Sequence, residues 1–384
     1  MATGGHARLP ALTGVRALAA FLVFFHHHPT ELLEVGPLRL WWELHIGVTL
    51  FFVLSGFMIT WRYDRCGPAK ESFLRGYFVN RFARIYPLYF FLVVPTMLIY
   101  GARSLSAWFW NLTVFSSLEV GIPQAWSLRV EECFYLCAPL LFLLWRRHTV
   151  LPLVAAAAVL IALYPIAKIP STSGIVGPPA NMLLYTFPGR FFEFYVGIWL
   201  AKKVARAGPN IDPHRRFPVF TLGGLLGIVG VVVALAAIYS ATGGRYVYGL
   251  YHPAGIALNN LVLPLAIAAF YWGLVRERSP IRWILSTRVA DLLGRSSYAF
   301  YLIHLAPVLN ILLTVLVAVV RLFGTGVAGA FENLMLHNVA VLFAVVTLLS
   351  IALYEAVERP ANRFLRRRFG SSAPAAVAPS PSTA

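Results

Sequence analysis

Long runs of apolar residues recur along this chain, and short polar or basic segments separate them. A helix needs about 20 mostly apolar residues to cross the hydrocarbon layer of a membrane. The pattern therefore predicts an all-α fold, a polytopic integral membrane helix bundle of about ten transmembrane helices. The predicted spans are residues 11–28, 45–61, 86–101, 126–145, 149–167, 181–201, 219–240, 257–275, 297–319 and 335–356.

The basic residues predict which ends of these helices face the cytoplasm. Cytoplasmic loops are enriched in Lys and Arg. With the N-terminus inside, 24 of the 32 Lys and Arg residues fall on the inner side, five fall on the outer side and three lie within spans. We therefore expect both termini to be cytoplasmic. The most basic inner segments are 62–84, 202–216, 276–295 and 359–368.

Composition supports the membrane interpretation and excludes another one. Hydrophobic residues make up 59% of the chain, charged residues make up 12%, and the mean hydropathy is +0.72. In a soluble protein, a net charge of +17 would suggest binding to nucleic acid. Here the charge follows the predicted topology and favours contact with anionic lipids, so no nucleic-acid partner is expected.

The chain reads as one membrane domain, residues 1–369, followed by a disordered cytoplasmic tail, residues 370–384. The tail is rich in proline, alanine and serine and too short to bury a core. The first apolar run ends in "HHHPTE", without the small residues of a cleavage site, so we expect the first span to remain in the mature protein.

Ionisable residues inside membrane spans are costly and often mark functional sites. In the first span, Arg16 and His27 are eleven residues apart, which is close to three helical turns and places them on nearly the same face. The triplet His26 to His28 lacks the i, i+4 pairing that lets one helix hold zinc, so no metal is expected. His26 and His28 are interpreted as polar groups at the outer membrane interface.

A second polar stripe lies in "AWSLRVEECFYL", where Ser127, Glu131 and Tyr135 are spaced at i, i+4 and i+8. These three side chains share one helix face. Glu132 points about 100° away, and Arg129 could neutralise it locally. Glu131 has no such neighbour in sequence and needs a partner from another helix.

Two further groups could be functional or structural. Ser297, Tyr301 and His304 share one face of a predicted span, where they could form part of a site or join helices by hydrogen bonds. Arg81 and Arg84 lie one turn apart on the predicted cytoplasmic side. Two guanidinium groups on one face suit phosphate oxygens, although the positive-inside bias alone would also explain them.

Seven motifs carry a resemblance to a known family: "LTGVRALAAFLVFFHH", "GVTLFFVLSGFMI", "RFARIYPLYF", "WSLRVEECFYL", "RFFEFYVGIWLA", "LGRSSYAFYLIH" and "YEAVERPA". In this order, they resemble the acyltransferase-3 family of integral membrane acyltransferases, over residues 10 to 365. The resemblance implies catalytic roles for His27, Glu131, Arg16, Tyr301 and His304, acyl-CoA contacts for Arg81 and Arg84, and acceptor contacts for Trp126, Ser127, Glu193 and Tyr298.

The resemblance also implies a mechanism and a substrate class. We expect His27 to act as general base or transient acyl acceptor, Glu131 to orient its imidazole, and Tyr301 or His304 to donate a hydrogen bond to the oxyanion. The expected reaction moves an acyl group, by default acetyl, from acyl-CoA to a hydroxyl of a carbohydrate, a glycolipid or a glycosylated small molecule. The expected location is a bacterial-type cytoplasmic (inner) membrane.

Several alternatives stay open at this stage, among them a purely structural or regulatory membrane subunit, in which Arg16, His27 and Glu131 could be replaced harmlessly. Many relatives carry an extra hydrolase-like domain, which this sequence does not show, so the chain either acylates its acceptor directly or relies on a partner protein. A transporter or flippase could also bury Arg, Glu and His in a ten-helix bundle, because proton paths use such residues. Release of free coenzyme A would distinguish the enzyme from the transporter.

Overall fold

Helices form nearly all of the secondary structure in the computed structural model, which describes residues 9–28, 34–35, 38–63, 71–101, 104–113, 122–167, 179–209, 211, 217–243 and 245–370. The first half contains α1 (Pro10–His27), α2 (Gly47–Tyr63), α3 (Glu71–Ile99), α4 (Leu105–Leu112), α5 (Ala125–Arg147), α6 (Leu151–Ala167), α7 (Pro179–Tyr185) and α8 (Phe191–Ala207). The second half contains α9 (Val219–Ala241), α10 (Pro253–Ala257), α11 (Leu263–Arg276), α12 (Pro280–Leu285), α13 (Arg288–Ile303), α14 (Val308–Arg321), α15 (Thr325–His337), α16 (Val339–Leu353) and α17 (Arg359–Phe369).

Short irregular elements join some of these helices. Two-residue strands, β1 (Glu34–Val35) and β2 (Leu38–Arg39), pair antiparallel and precede a 3₁₀ helix at Leu40–Ile46. A second 3₁₀ turn spans Gly249–Tyr251, and π turns occur at Leu258–Val262 and Tyr354–Glu358. Each π turn lies between two α-helices and joins them without a break. Such π-bulges are frequent at functional sites.

The all-helical membrane fold is confirmed, but the predicted count of ten spans is not. Among the described residues, six helices are long and apolar enough to cross a membrane, or seven if one bent pair counts as a single span. The bent pair is α13 and α14, which meet at 101° within the predicted span 297–319. Which side each terminus occupies stays a prediction, and residues 371–384 of the predicted tail lie outside the described part of the chain.

Two other predicted spans are not among these six helices, for physical reasons. The span predicted at 181–201 is divided between α7 and α8, which a turn at residues 186–190 separates. The span predicted at 126–145 corresponds to α5, which is long enough to cross but carries Arg129, Glu131 and Glu132. These ionisable residues lower its hydropathy, and most of their surface is turned into the protein.

Helices α1, α2 and α8 each contribute to both of the large apolar cores. One core joins them to α3, α5, α13, α14 and α16, and the other joins them to α9 and α11. Glycine permits the closest approach: a Cβ atom at Gly56 would lie 2.2 Å from the Phe194 carbonyl oxygen, and one at Gly197 would lie 2.2 Å from that of Val53. Such small residues let helix backbones pack closely in membranes.

Glu277 stabilises the start of α9 from the end of α11. Its fully buried carboxylate accepts hydrogen bonds from the backbone N–H groups of Phe220 and Thr221, at 3.0 and 2.9 Å, and from the Thr221 hydroxyl. The first N–H groups of a helix have no partner within the helix, so a buried helix start needs an acceptor of this kind. The interaction ties the second apolar core together.

Candidate active site

A cavity of about 390 Å³ lies at one end of the bundle, and eight arginines line it. The segments predicted to be cytoplasmic at 62–84, 276–295 and 359–368 all reach this cavity, which is consistent with one shared membrane face. The arginines are Arg16 of α1, Arg62 of α2, Arg81 and Arg84 of α3, Arg295 of α13 and three residues of α17.

One face of α2 lines the cavity along its length. Residues three or four apart on a helix share a face, and eleven residues of α-helix rise about 16 Å. The stripe runs from Arg62 near the end of α2 to Phe51, one turn from the start of α2. Its members are Phe51, Leu54, Ser55, Met58, Ile59 and Arg62.

The paired arginines of α3 are held by groups from other helices. Arg84 forms an ion pair with Glu358, a carboxylate that is 1% exposed and that the second π turn places against α3. The guanidinium of Arg81 lies over the rings of Tyr63 and Tyr135, at 5.7 and 5.3 Å from their centroids. These cation–π contacts orient the charge without neutralising it.

The cavity carries a large excess of positive charge. Glu131 and Glu358 are the only carboxylates among its described lining residues. The Nε atoms of Arg16, Arg81 and Arg366 are buried and have no hydrogen-bond partner in the described part of the chain. Buried donors are normally paired, and guanidinium forks match phosphate oxygens. The cavity therefore suits a ligand with several phosphate groups.

Glu131 lines this cavity and forms a hydrogen bond with Tyr135, another member of the predicted polar stripe. One of its oxygens accepts hydrogen bonds from the hydroxyls of Tyr135, at 2.5 Å, and Ser55. The Tyr135 contact confirms that residues 131 and 135 share a face of α5. Arg16 lines the same cavity, so α1, α2 and α5 meet at this level.

The predicted histidines meet at the other end of α1. His27 Nδ1 lies 3.3 Å from His304 Nε2, and their ring centroids are 5.2 Å apart. His304 is fully buried, whereas His27 is exposed. His28 Nε2 lies 3.1 Å from the His304 carbonyl oxygen and holds the same turn. The structure therefore brings together two residues that lie 277 positions apart.

Backbone carbonyls determine which ring nitrogens carry protons in this pair. His304 Nδ1 lies 2.7 Å from the Tyr301 carbonyl oxygen, and His27 Nδ1 lies 2.8 Å from that of Val23. A carbonyl oxygen only accepts, so both Nδ1 atoms are donors in the neutral rings. Each Nε2 then carries a lone pair. The lone pair of His304 faces His27 Nδ1, and that of His27 remains available as a base.

Tyr301 joins the two predicted polar stripes. Its hydroxyl lies 2.7 Å from the Ser127 hydroxyl and donates to the Gln124 carbonyl oxygen at 3.1 Å. The Tyr301 hydroxyl is therefore engaged within the protein, and its expected role at the oxyanion stays a prediction. Gln124, which the sequence analysis did not select, also donates to the Leu302 carbonyl oxygen at 2.7 Å.

Tyr298 and Trp126, which are both predicted to contact the acceptor, lie in different parts of the bundle. Tyr298 is in the cavity region: its hydroxyl donates to the Ile85 carbonyl oxygen at 2.9 Å, and Arg84 lies 5.5 Å over its ring. Trp126 lies at the start of α5, where its ring centroid is 4.7 Å from that of Tyr185. The arginine cavity and the histidine pair are separated by the eleven residues from Arg16 to His27, about 16 Å of helix.

Comparison with known proteins decides the family. The acyltransferase-3 family model, described as an acyltransferase domain, matches residues 9–355. The chain belongs to the acyltransferase-3 family. It is thus a multi-pass membrane O-acyltransferase, as the resemblance of its motifs implied.

Two relatives resemble this acyltransferase-3 chain over most of its length. It is 29% identical to the acyltransferase MdmB of Streptomyces mycarofaciens, over 98% of this chain and 96% of the relative. It is 26% identical to the peptidoglycan O-acetyltransferase OatA of Listeria monocytogenes, over 77% of this chain and 49% of the relative. The chain therefore spans about half the length of the second protein. No solved structure matches it.

Glu193 of this acyltransferase takes part in a buried charged contact at the start of α8. It is fully buried and forms an ion pair with Arg190, itself 3% exposed, at 2.8 Å. Arg190 also donates to the Thr49 hydroxyl at 2.9 Å. Through Arg190, this arrangement ties the start of α8 to α2. The ion pair lies within the first turn of α8, and the acceptor contact expected for Glu193 stays a prediction.

A polar cluster that the sequence pattern did not reveal lies beside the histidine pair. Glu43 is fully buried, accepts a hydrogen bond from the Gly249 N–H at 2.8 Å and lies 3.0 Å from His45 Nε2. The ring of His26 packs against those of His45 and Tyr248, with centroids 5.6 and 5.0 Å apart. A carboxylate near "HHH" was visible in the sequence, but no spacing rule links residues 26, 43 and 45.

Proposed function

We propose that this membrane O-acyltransferase takes its acyl group from acyl-CoA and transfers it to a hydroxyl of a carbohydrate, a glycolipid or a glycosylated small molecule. The observation that carries the donor assignment is the cavity with eight arginines and two carboxylates. Coenzyme A carries a pyrophosphate and a ribose phosphate, so it supplies the anionic oxygens that such a cavity requires. Arg81 and Arg84 bind these phosphates in the proposal.

The donor enters from the cytoplasm. The positive-inside rule assigns the arginine-rich end of the bundle to that side, where acyl-CoA is made. The adenosine phosphates bind among the arginines, and the pantetheine arm extends between α1, α2 and α5 towards His27. Arg16 lines the start of this route. The chain acts in a bacterial-type cytoplasmic membrane, with the exposed His27 facing the acceptor side.

Transfer then proceeds with His27 as general base. His27 Nε2 takes the proton of the acceptor hydroxyl as its oxygen attacks the thioester carbonyl carbon. The carbon–sulfur bond breaks, and the coenzyme A thiolate receives that proton from the imidazolium. The Val23 carbonyl and His304 Nε2 both accept from His27 Nδ1–H, so they orient the ring and stabilise its charged form. Glu131 acts at the level of Arg16, through Ser55 and Tyr135, rather than on His27.

The acceptor class rests on less specific observations. The related protein from Listeria is named a peptidoglycan O-acetyltransferase, which supports acetyl as the donor group and a carbohydrate as the acceptor. Around the histidines, Trp126 and Ser127 are half-buried and buried respectively, and aromatic rings extend from Trp126 to Tyr185. This aromatic surface is compatible with a sugar ring. A partner protein could complete the transfer where the final acceptor lies beyond the membrane.

The decisive experiment measures coenzyme A release by the purified protein in nanodiscs. The reaction contains acetyl-CoA and a panel of acceptors: free sugars, peptidoglycan fragments and glycosylated small molecules. We expect acceptor-dependent thiol release that falls to a low residual rate in His27→Ala. His26→Ala is the matched control, because it removes the adjacent imidazole but leaves the His27–His304 pair intact.

Donor recognition is tested in the same assay. Arg84→Ala should raise the KM for acetyl-CoA, whereas Arg321→Ala, an exposed arginine of α14 away from the cavity, should not. Transport of a solute without thioester consumption, or full activity of correctly folded His27→Ala, would contradict the proposed function.

A further inference from the structure

The proposed function places the two halves of the reaction at different levels of the bundle. The donor phosphates bind beside arginines at one end, and the general base His27 lies about 16 Å further along α1 from Arg16. The acyl group of the donor must therefore pass from the cavity to the histidine pair. The side chains between these two regions therefore limit which acyl groups can reach His27.

A continuous row of rings connects the two regions. Phe51 lines the arginine cavity, and its ring centroid lies 6.0 Å from that of Tyr301. Tyr301 lies 5.5 Å from His304, which in turn lies 5.2 Å from His27. Phe51 is thus the described residue that both lines the cavity and contacts this row. It marks the inner limit of the cavity on the side of the base.

The other groups at this point are held in place. Tyr301 is 8% exposed and bonded to Ser127 and Gln124, and Ser127 is 7% exposed. Phe51 is only half-buried, and its ring has no polar anchor. A donor acyl group that moves from Arg16 towards His27 therefore contacts the Phe51 ring. This ring packs against Tyr301, which its hydrogen bonds hold in place.

We infer that Phe51 determines the length of acyl group that the enzyme transfers, and that it restricts the donor to short chains such as acetyl. This inference rests on the proposed acyl-CoA donor. An acetyl group adds one methyl beyond the carbonyl carbon and passes beside the ring, whereas a longer chain must occupy the volume of the ring itself. Discrimination of about 10- to 200-fold per methylene is typical when an apolar site is too small.

The test compares acetyl-, butyryl- and hexanoyl-CoA in nanodiscs with wild-type protein, Phe51→Ala and Phe51→Leu. We expect the ratio of kcat/KM for hexanoyl-CoA to that for acetyl-CoA to rise at least about tenfold in Phe51→Ala, with a smaller rise in Phe51→Leu. Phe52→Leu is the matched control. Phe52 is the next residue of α2, but its ring packs against Phe194 and Trp126, at 4.9 and 6.5 Å, and not into the cavity.

Each outcome decides the inference. A shift in the donor ratio at position 51 that is absent at position 52 supports it. An unchanged ratio in active position-51 variants overturns it while leaving the proposed function intact. If Phe51→Ala does not fold, Phe51→Leu alone decides. If the wild-type protein releases no thiol from any acyl-CoA, the proposed function fails and the inference fails with it.

Discussion

Replacing His304 by asparagine should slow catalysis without weakening donor binding. Asparagine Nδ2 can replace histidine Nδ1 as donor to the Tyr301 carbonyl, so the local turn is preserved. The substitution removes the Nε2 lone pair, which lies 3.3 Å from His27 Nδ1. The imidazolium formed at His27 during transfer then loses one of its two acceptors and keeps only the Val23 carbonyl.

The size of this effect follows from the geometry. A hydrogen bond to a charged group contributes about 1.5–3 kcal/mol. At 3.3 Å the bond is longer than the usual distance, so the lower part of that range, about 1.5–2 kcal/mol, applies. Since each 1.36 kcal/mol changes a rate tenfold, His304→Asn should lower kcat about 10- to 30-fold. The KM for acetyl-CoA should stay unchanged, because the donor phosphates bind at the other end.

A double-mutant cycle checks the reasoning in the coenzyme A release assay. In the His27→Ala background, His304→Asn should cause little further loss, because its partner is already gone. His304→Gln should recover part of the activity, since its side-chain oxygen can accept from His27 Nδ1. If His304→Asn lowered the rate by the same factor with and without His27, the two histidines would act independently and the proposed pairing would be wrong.

Three further predictions concern the cavity and the helix contacts. Arg84→Ala should raise the KM for acetyl-CoA about 10- to 100-fold, because a charged hydrogen bond worth about 1.5–3 kcal/mol is lost. Adding Glu358→Gln to this variant should not restore the KM. Glu193→Ala should destabilise the protein by about 3–5 kcal/mol, because Arg190 is left buried and unpaired. Gly56→Leu should lower the thermal unfolding midpoint in nanodiscs, because its Cβ would overlap the backbone of α8.

Matched variants separate these effects from general damage. Arg84→Lys should recover only part of the donor affinity, because lysine cannot form a two-pronged contact with phosphate. Methionine at both 190 and 193 should destabilise the protein less than Glu193→Ala does. Gly230→Leu should leave the unfolding midpoint nearly unchanged, because a Cβ there meets nothing within 4 Å. An unfolding midpoint for Glu193→Ala equal to that of the wild type would show that the ion pair contributes little.

The sequence by itself was sufficient for the class of protein and for several local relations. Apolar runs of membrane length predicted a helical membrane protein, and the motifs led to the acyltransferase-3 family. The spacing of Glu131 and Tyr135 predicted a shared face, which their hydrogen bond confirms. These properties depend on composition and on the helical repeat, and both act over a few turns of one chain segment.

Only the tertiary structure decided which of these faces meet. The pairing of His27 with His304, the hydrogen bond of Arg190 with Thr49, and the gathering of eight arginines each join helices that are distant in sequence. The acceptor at Val23 is a backbone carbonyl, which no residue type reveals. The helical period assigns a side chain to a face, but packing, π turns and the bend after α13 determine what that face contacts, and these depend on the whole bundle.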